Sequence, residues 1–473
     1  MATTFDVRIW KTEVWQGKTT TTYTVRWAVA GARFKQPFKT SALADSFRSK
    51  LVVAAKGGEA FSVETGLPVS TQRAENSMTW FAFACAYVDM KWDESAGNSR
   101  KGVAEMLTNA TSVMLSTTRG KPDDKVIRRS LNGWAFNRNR RDSAAPTEVR
   151  TALKWLTANT KQVSALQDPT VMRAMLGRLA KKLDGTRAAP STIRRKRAVL
   201  YNAMEYAVEL KLLDKNPIPA LKWKVPKPPK AIDKRTVVNP TQARQLLDAV
   251  RVQQPSGPRL VAYFATMYYS AARPGEAVNL RRQDVLIPDA TWDESGQRWV
   301  LPDGVDDDGG ELLLSESAPE TGAAWSETGM RRDRRQLKHR EKGETRPVPC
   351  PPQLAVLLRD HLRQFGTDPD GFLFRGVRDR GLFSESTYSR AWRKAREAAF
   401  TEEDYASPLA RRAYQLRHAA VSTWLNGGVP PQQVAEWAGH SLEVLFKIYA
   451  KCLSGQEDAA RRRLTDAYKT DDS

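Results

Sequence analysis

The stretch Tyr414-Gln415-Leu416-Arg417-His418 leads into an apolar run of helical character, then Gly439-His440, then Tyr449 just before Ala450-Lys451-Cys452. Arg417 and His440 are polar residues set beside apolar ones that read as helix core. Arginine binds phosphate oxygens through two parallel hydrogen bonds. Histidine donates a further hydrogen bond or moves a proton. Tyrosine supplies an oxygen that attacks phosphorus and forms a covalent intermediate. The three residue types together suit phosphoryl transfer without a metal.

Leu416-Arg417-His418, Ala438-Gly439-His440-Ser441 and Ile448-Tyr449 resemble the second conserved box of the tyrosine recombinases, or phage integrases. The first box resembles Ser270-Ala271-Ala272-Arg273-Pro274-Gly275-Glu276-Ala277-Val278-Asn279-Leu280, with Arg273, Glu276 and Leu280 at the family's Arg, Glu and Leu positions. The resemblance spans residues 72–455, with its specific motifs toward the C-terminal end. Each residue alone has an ordinary reading: Arg273 as a helix-end ion pair, His440 as a cap behind Gly439, Tyr449 as core. It is the order and spacing together, in a basic chain, that favour the enzyme.

The chain has 473 residues and a net charge of +22, with 41% hydrophobic and 9% aromatic residues. That length suggests two to four domains, and the composition suffices for ordinary cores. The charge excess faces a polyanion or is borne as self-repulsion, and nucleic acid is the polyanion expected. No apolar run approaches the ~18 residues of a membrane span, and the first residues lack a signal-peptide core. The three cysteines, Cys85, Cys350 and Cys452, lie far apart, which fits a reducing cytoplasm and no metal site.

The fold class expected is a mixed α+β multidomain chain. Residues 1–60 read as a small β-sheet plus helix: Tyr23, Val25, Trp27 and Val29 share one strand face, Gly17 and Gly31 mark turns, and a helix from Ser41 carries Leu43, Phe47 and Leu51 on one side. Integrases often carry such a module for accessory "arm" sites, and Arg26, Arg33, Lys35 and Lys39 are its candidate contacts; a plain sheet-surface charge pattern is the alternative. Residues 56–73 read as a linker. Residues 72–222 read as helices, and the resemblance makes them an all-α, SAM-like core-binding domain. One helix starts after Pro190 with Arg194, Arg195, Lys196 and Arg197 in its first turns. Cations there oppose the helix dipole, a conflict that a bound phosphate relieves, which favours DNA contact over a solvated basic face as the alternative. A second linker, 221–235, carries three prolines among basic residues that include Lys224, Lys227 and Lys230, further candidates for DNA contact. The catalytic domain, 236–473, is expected to be mainly α with a small antiparallel sheet, and Asn239 or Thr241 caps its first helix. The acidic loop with Asp303, Asp306, Asp307, Asp308 and Glu311 lacks EF-hand spacing and reads as exposed.

The resemblance implies that Arg273 and Arg417 clamp the scissile phosphate, that His440 adds a hydrogen bond, and that Tyr449 attacks to leave a 3′-phosphotyrosine and a free 5′ hydroxyl. No cofactor, ATP or metal is implied. Glu276 orders Arg273. A hairpin lysine protonates the leaving oxygen; residues 334–350 read as that hairpin, with Glu341 to Glu344 at the turn, and Lys338 is preferred to Lys342 because a strand holds an acid more firmly than a turn tip. One position departs from the family: the usual histidine three residues before the second arginine is Tyr414, a poorer base at neutral pH. His418 is the other nearby imidazole, and also reads as a core residue packed on its helix. The implied partners are double-stranded DNA attachment sites, further copies forming a homotetramer around a Holliday junction, and an excisionase or DNA-bending protein. The implied setting is the bacterial cytoplasm. A helix over 457–469 would dock on a neighbouring protomer. A type IB topoisomerase and a non-catalytic DNA-binding regulator are the competing readings.

Overall fold

The computed structural model describes residues 2–17, 19–69, 71, 77–227, 231–337, 340–341, 343–377, 381–449, 461–462 and 465. The chain divides into two compact units: Met1–Ser95 with Ser99–Pro226, and Ala96–Asn98 with Lys227–Ser473. The architecture is mixed α+β, with short antiparallel sheets and many helices.

In the first unit the strand Thr21–Val29 pairs antiparallel with Val7–Ile9, Glu13–Gln16 and Ala32–Phe38. The Ala30-Gly31 turn joins Val29 to Ala32, and both turn residues have positive φ (47° and 82°), as a two-residue hairpin requires. Val25, Trp27 and Val29 are buried against Ala44 and Leu51 of the helix Ser41–Lys56, which Thr40 caps. The sheet-plus-helix reading of this segment therefore holds. Of the expected inward face, Phe47 and Leu51 pack on the sheet, while Leu43 is exposed and Ala44 takes its place in the core. The expected linker at 56–73 is also more structured than a spacer. Phe61–Ser62 pairs with Thr3–Thr4, Phe61 is fully buried, and the Trp27 indole donates to the Gly66 carbonyl. An aromatic side chain that completes a core overrides the glycines around it.

Helices follow, including Trp80–Trp92, Thr147–Ala158, Pro169–Leu179 and Pro190–Glu209. Thr79 and Asp168 cap two of them through their side chains, and Pro190 sits at N1, where its missing N–H costs nothing. Ile193, Leu200, Ala203, Met204 and Ala207 form the buried stripe of the last helix.

In the second unit, Asn239 and Gln242 form a reciprocal capping box for the helix Pro240–Arg251. The helix Gly257–Tyr269 is buried along nearly its whole length. It packs against Pro240–Arg251, Pro352–Phe365 and Gln415–Asn426. A three-stranded antiparallel sheet has Gly310–Leu314 at its centre, between Val285–Leu286 and Arg346–Cys350. The expected hairpin over 334–350 is thus built differently. Its return strand pairs with Gly310–Leu314, and Arg335–Gln336 pairs with Glu316–Ser317. The turn remains, closed by the Glu344 amide on the Glu341 carbonyl at 3.1 Å. Among the described residues no helix is long and apolar enough to cross a membrane.

Candidate active site

Arg273 ends the run Ser270-Ala271-Ala272 in extended backbone, and Pro274 starts the short helix Pro274–Ala277. Glu276 then falls where its carboxylate reaches back. It accepts the Arg273 amide at 2.8 Å and the Arg273 guanidinium Nη1 at 2.6 Å. The turn lies flat on the chain at Ser317 to Pro319: a Cβ on Gly275 would sit 2.6 Å from Ser317 Oγ. Glu276 thus holds the Arg273 backbone and guanidinium together.

Sequence reasoning missed Arg346. Its guanidinium donates to Glu276 Oε2 at 2.7 Å and Oε1 at 3.3 Å, and both side chains are 1% exposed. The signal was available: Arg346, Val348 and Cys350 alternate onto the buried face of their strand. An arginine at a core position needs a buried acidic partner.

Arg417 is fully buried in the helix Gln415–Asn426. It donates through Nη1 to the Ala271 carbonyl and through Nη2 to the Ala438 carbonyl, with Nη2 also 2.9 Å from His440 Nε2. A guanidinium only donates, so His440 Nε2 accepts and the imidazole proton lies on Nδ1. Ala271 holds its carbonyl in place at φ 49°, a left-handed conformation costly for alanine. Gly439 closes the helix Pro431–Ala438 at φ 60°, ψ 50°, and its carbonyl accepts Arg273 Nη2 at 2.9 Å. A Cβ on Gly439 would sit 2.4 Å from Arg346 Nη1, so only glycine fits.

Tyr449 is buried at the end of the helix Leu442–Tyr449, with its Oη 2.8 Å from His418 Nδ1. Its ring also lies 6.1 Å from that of His440. Tyr414 stands at the N-terminus of the helix Gln415–Asn426 that carries His418, exposed, with its ring edge-on to His418 at 5.2 Å, and it interacts with the Arg273 guanidinium.

Three guanidiniums, of Arg273, Arg346 and Arg417, act on the single carboxylate of Glu276. Burial alone would raise the Glu276 pKa, but the three arginines, Arg346 foremost, bring it down to about 2. Arg417 pays for the imbalance: burial and the repulsion of Arg273 lower its pKa to about 10. Burial, then Arg417 and Arg273, push His440 down to about 3. Burial and Arg417 push His418 down to about 4, so both imidazoles are neutral at pH 7. Arg417 Nε and His440 Nδ1 are buried and have no hydrogen-bond partner among the described residues. A cleft of about 730 Å3 opens at Arg273, Gly439 and His440, and Arg340, Glu344 and Ser441 also line it.

The remaining expectations divide. Lys338, Lys342 and Lys230 lie outside the described residues, as does the segment 457–469 apart from residues 461–462 and 465. Arg194 and Arg195 are exposed on their helix, and Arg197 is half-buried. Lys196 is buried and paired with Glu105 at 3.0 Å, which corrects its assignment as a DNA contact: its charge is already neutralised within the fold. Lys224 and Lys227 are exposed. Asp303, Asp306, Asp307 and Asp308 are exposed as expected, and among the described residues no cluster of three or more His, Cys, Asp or Glu is placed to hold a metal ion.

No protein-family model matches the chain, and no curated protein matches it in sequence. Among solved structures it is similar to a lambda integrase dimer bound to a COC′ core site (13% identity, 97% of each chain covered, TM-score 0.46). It is also similar to a Tn1549 transposon integrase in complex with a circular intermediate DNA (14% identity, 69% of this chain and 96% of that one, TM-score 0.44). A third is XerH site-specific recombinase bound to difH (13% identity, 83% and 96%, TM-score 0.44).

Proposed function

We propose that this chain is a tyrosine-type site-specific DNA recombinase that integrates and excises a mobile element. The observation that carries the reading is an excess of largely buried positive charge, three arginines around one carboxylate, joined through His440 on Arg417 to the ring of Tyr449 6.1 Å away. Uncompensated buried charge is costly, and an anion removes the cost. A phosphodiester does so and also presents the phosphorus that Tyr449 attacks.

Arg273, the most accessible of the three arginines and the one lining the cleft, binds a non-bridging oxygen. Arg417 contributes chiefly its charge, because two carbonyls and His440 already take most of its donors. That division revises the symmetric clamp inferred from sequence. The unpartnered Arg417 Nε–H and His440 Nδ1–H are spare donors for the oxygens of the pentacoordinate transition state. Glu276 and Arg346 hold Arg273 in place. Tyr449 Oη forms a bond to phosphorus as the bond to the 5′ oxygen breaks, leaving a 3′-phosphotyrosine. Lys338 or Lys342 protonates the leaving oxygen. The phosphotyrosine conserves the phosphodiester bond energy, so rejoining needs no ATP.

In this reading the helix Pro190–Glu209, through Arg194, Arg195 and Arg197, and the linker lysines Lys224, Lys227 and Lys230 grip the duplex around the crossover point. The N-terminal sheet presents Arg26, Arg33 and Lys35 to accessory sites. Four copies act on two DNA sites through a Holliday junction in the bacterial cytoplasm, with an excisionase or DNA-bending protein setting direction. The test uses a pool of nicked duplexes with a randomised core, on which cleavage releases a short strand and traps the enzyme. We expect an SDS-stable adduct enriched in a small set of cores, each released end carrying a 5′ hydroxyl that polynucleotide kinase labels. DNA binding without adduct would make the chain a regulator. Adduct without core preference, with relaxation of supercoiled plasmid, would make it a topoisomerase.

A further inference from the structure

We propose that His418 Nδ1 accepts the phenolic proton of Tyr449 during strand cleavage and returns it during rejoining. The inference rests on the recombinase reading and names the base that reading leaves open. Tyr449 Oη lies 2.8 Å from His418 Nδ1, at direct hydrogen-bond distance. In the Nε2–H tautomer His418 aims its Nδ1 lone pair at the reacting oxygen, and the neutral phenol donates to it.

The other candidates fail on geometry or chemistry. His440 accepts Arg417 Nη2 at 2.9 Å through Nε2, so its lone pair is committed and its other nitrogen carries the proton. Tyr414 is a phenol and no better a base than the group it would deprotonate. Glu276 is enclosed by Arg273 and Arg346. Two rings fix the imidazole of His418, Tyr414 edge-on at 5.2 Å and Tyr449 at 5.7 Å.

Burial, and after it the neighbouring Arg417 cation, hold His418 neutral before DNA arrives. A bound phosphodiester offsets that cation and raises the basicity of His418 when the proton must move. As the Oη–phosphorus bond forms and the bond from phosphorus to the 5′ oxygen breaks, the proton passes from Oη to Nδ1. The departing 5′ oxygen takes its proton from the hairpin lysine or from water. On rejoining, that 5′ hydroxyl loses its proton to the same group, and His418 reprotonates Tyr449 as the phosphotyrosine opens.

The test measures single-turnover adduct formation on a nicked duplex selected from the pool by the wild-type chain. His418→Ala, and His418→Gln as a variant that fills the same space, should each be slower by ~10²–10⁴-fold, the usual contribution of a general base. Their DNA affinity, read by fluorescence anisotropy, should be unchanged, and added imidazole should restore part of the His418→Ala rate. Replacing Tyr449 by trifluorotyrosine through nonsense suppression supplies a phenol that ionises without help. In that background the His418→Ala defect should shrink to less than tenfold. Rates within tenfold of wild type in both variants would overturn the proposal. So would an undiminished defect with trifluorotyrosine, which would mean that His418 only supports the fold. Absence of adduct from the wild-type chain on the whole pool would overturn the recombinase reading itself, a distinct outcome.

Discussion

Replacing Arg346 by methionine removes a buried charge and keeps much of the side-chain volume. Glu276 then retains Arg273 at 2.6 Å and loses contacts at 2.7 and 3.3 Å, while remaining 2% exposed. The fall of the Glu276 pKa from 4.5 to about 2 corresponds to about 3 kcal/mol favouring its ionised form. Breaking a buried pair by removing one partner costs about 3–5 kcal/mol. The lower end applies here, because deleting one of three cations also relieves the repulsion on Arg417. We expect Arg346→Met to destabilise the second unit by about 3 kcal/mol at pH 7. The sign of the pH dependence follows from the depressed carboxyl. In the wild type its stabilisation is complete above the unfolded pKa of 4.5 and is lost only as pH falls through about 2. In the variant Glu276, left with Arg273 and Arg417, protonates at higher pH than in the wild type and sheds its buried charge sooner. The difference between the two proteins should therefore narrow as pH drops below 4.5. Native-state hydrogen exchange of the central strand Gly310–Leu314 reads the stability of this unit between pH 7 and 4. A difference below about 1 kcal/mol at pH 7, or one independent of pH, would refute the reasoning.

Gly439→Ala should cost more than about 1 kcal/mol, from the positive φ and the clash with Arg346, and cut adduct formation at least ~100-fold by displacing the carbonyl that holds Arg273; urea unfolding and single-turnover kinetics check both. His361, His418 and His440 all have pKa values depressed below 6.5, chiefly by burial. Their contribution is complete above pH 6.5 and lost as pH falls toward 4. At pH 5, His361 and His418 should each cost about 2 kcal/mol and the more solvated His440 less, which the exchange of Gly310–Leu314 would show against a His361→Gln control. Lys338→Ala should cleave a normal duplex ~10²–10⁴-fold slowly yet cleave one with sulfur in place of the scissile 5′ oxygen near the wild-type rate. The Lys342→Ala variant should match wild type on both, and rescue of that variant by sulfur would move the acid to the turn.

Much of this site was legible in the sequence because its parts are local. Arg273 and Glu276 are three residues apart across a Pro-Gly turn, and Tyr449 follows His440 on the next helix. The sheet core was legible because Tyr23, Val25, Trp27 and Val29 alternate. What was not legible depended on distant partners. The alternation of Arg346 with Val348 and Cys350 marks a buried face, but its partner, Glu276, lies seventy residues away. Lys196 reads as a free cation until Glu105 on another helix reaches it. The pairing of Arg346–Cys350 with Gly310–Leu314 rather than with its sequence neighbour is likewise a long-range choice. His418 read first as a core histidine packed on its helix, and its 2.8 Å approach to the Tyr449 hydroxyl, thirty-one residues on, leaves no mark in the local sequence.

The central claim is that Tyr449 becomes covalently bound to DNA. The adduct trapped from the nicked-duplex pool can be digested with nuclease and protease and its peptides sequenced by mass spectrometry. The account predicts a nucleotide attached through its 3′ phosphate to the peptide containing Tyr449, and no adduct from Tyr449→Phe, which should still bind the same duplex. A nucleotide on any other residue, or an adduct from Tyr449→Phe at wild-type yield, would contradict it.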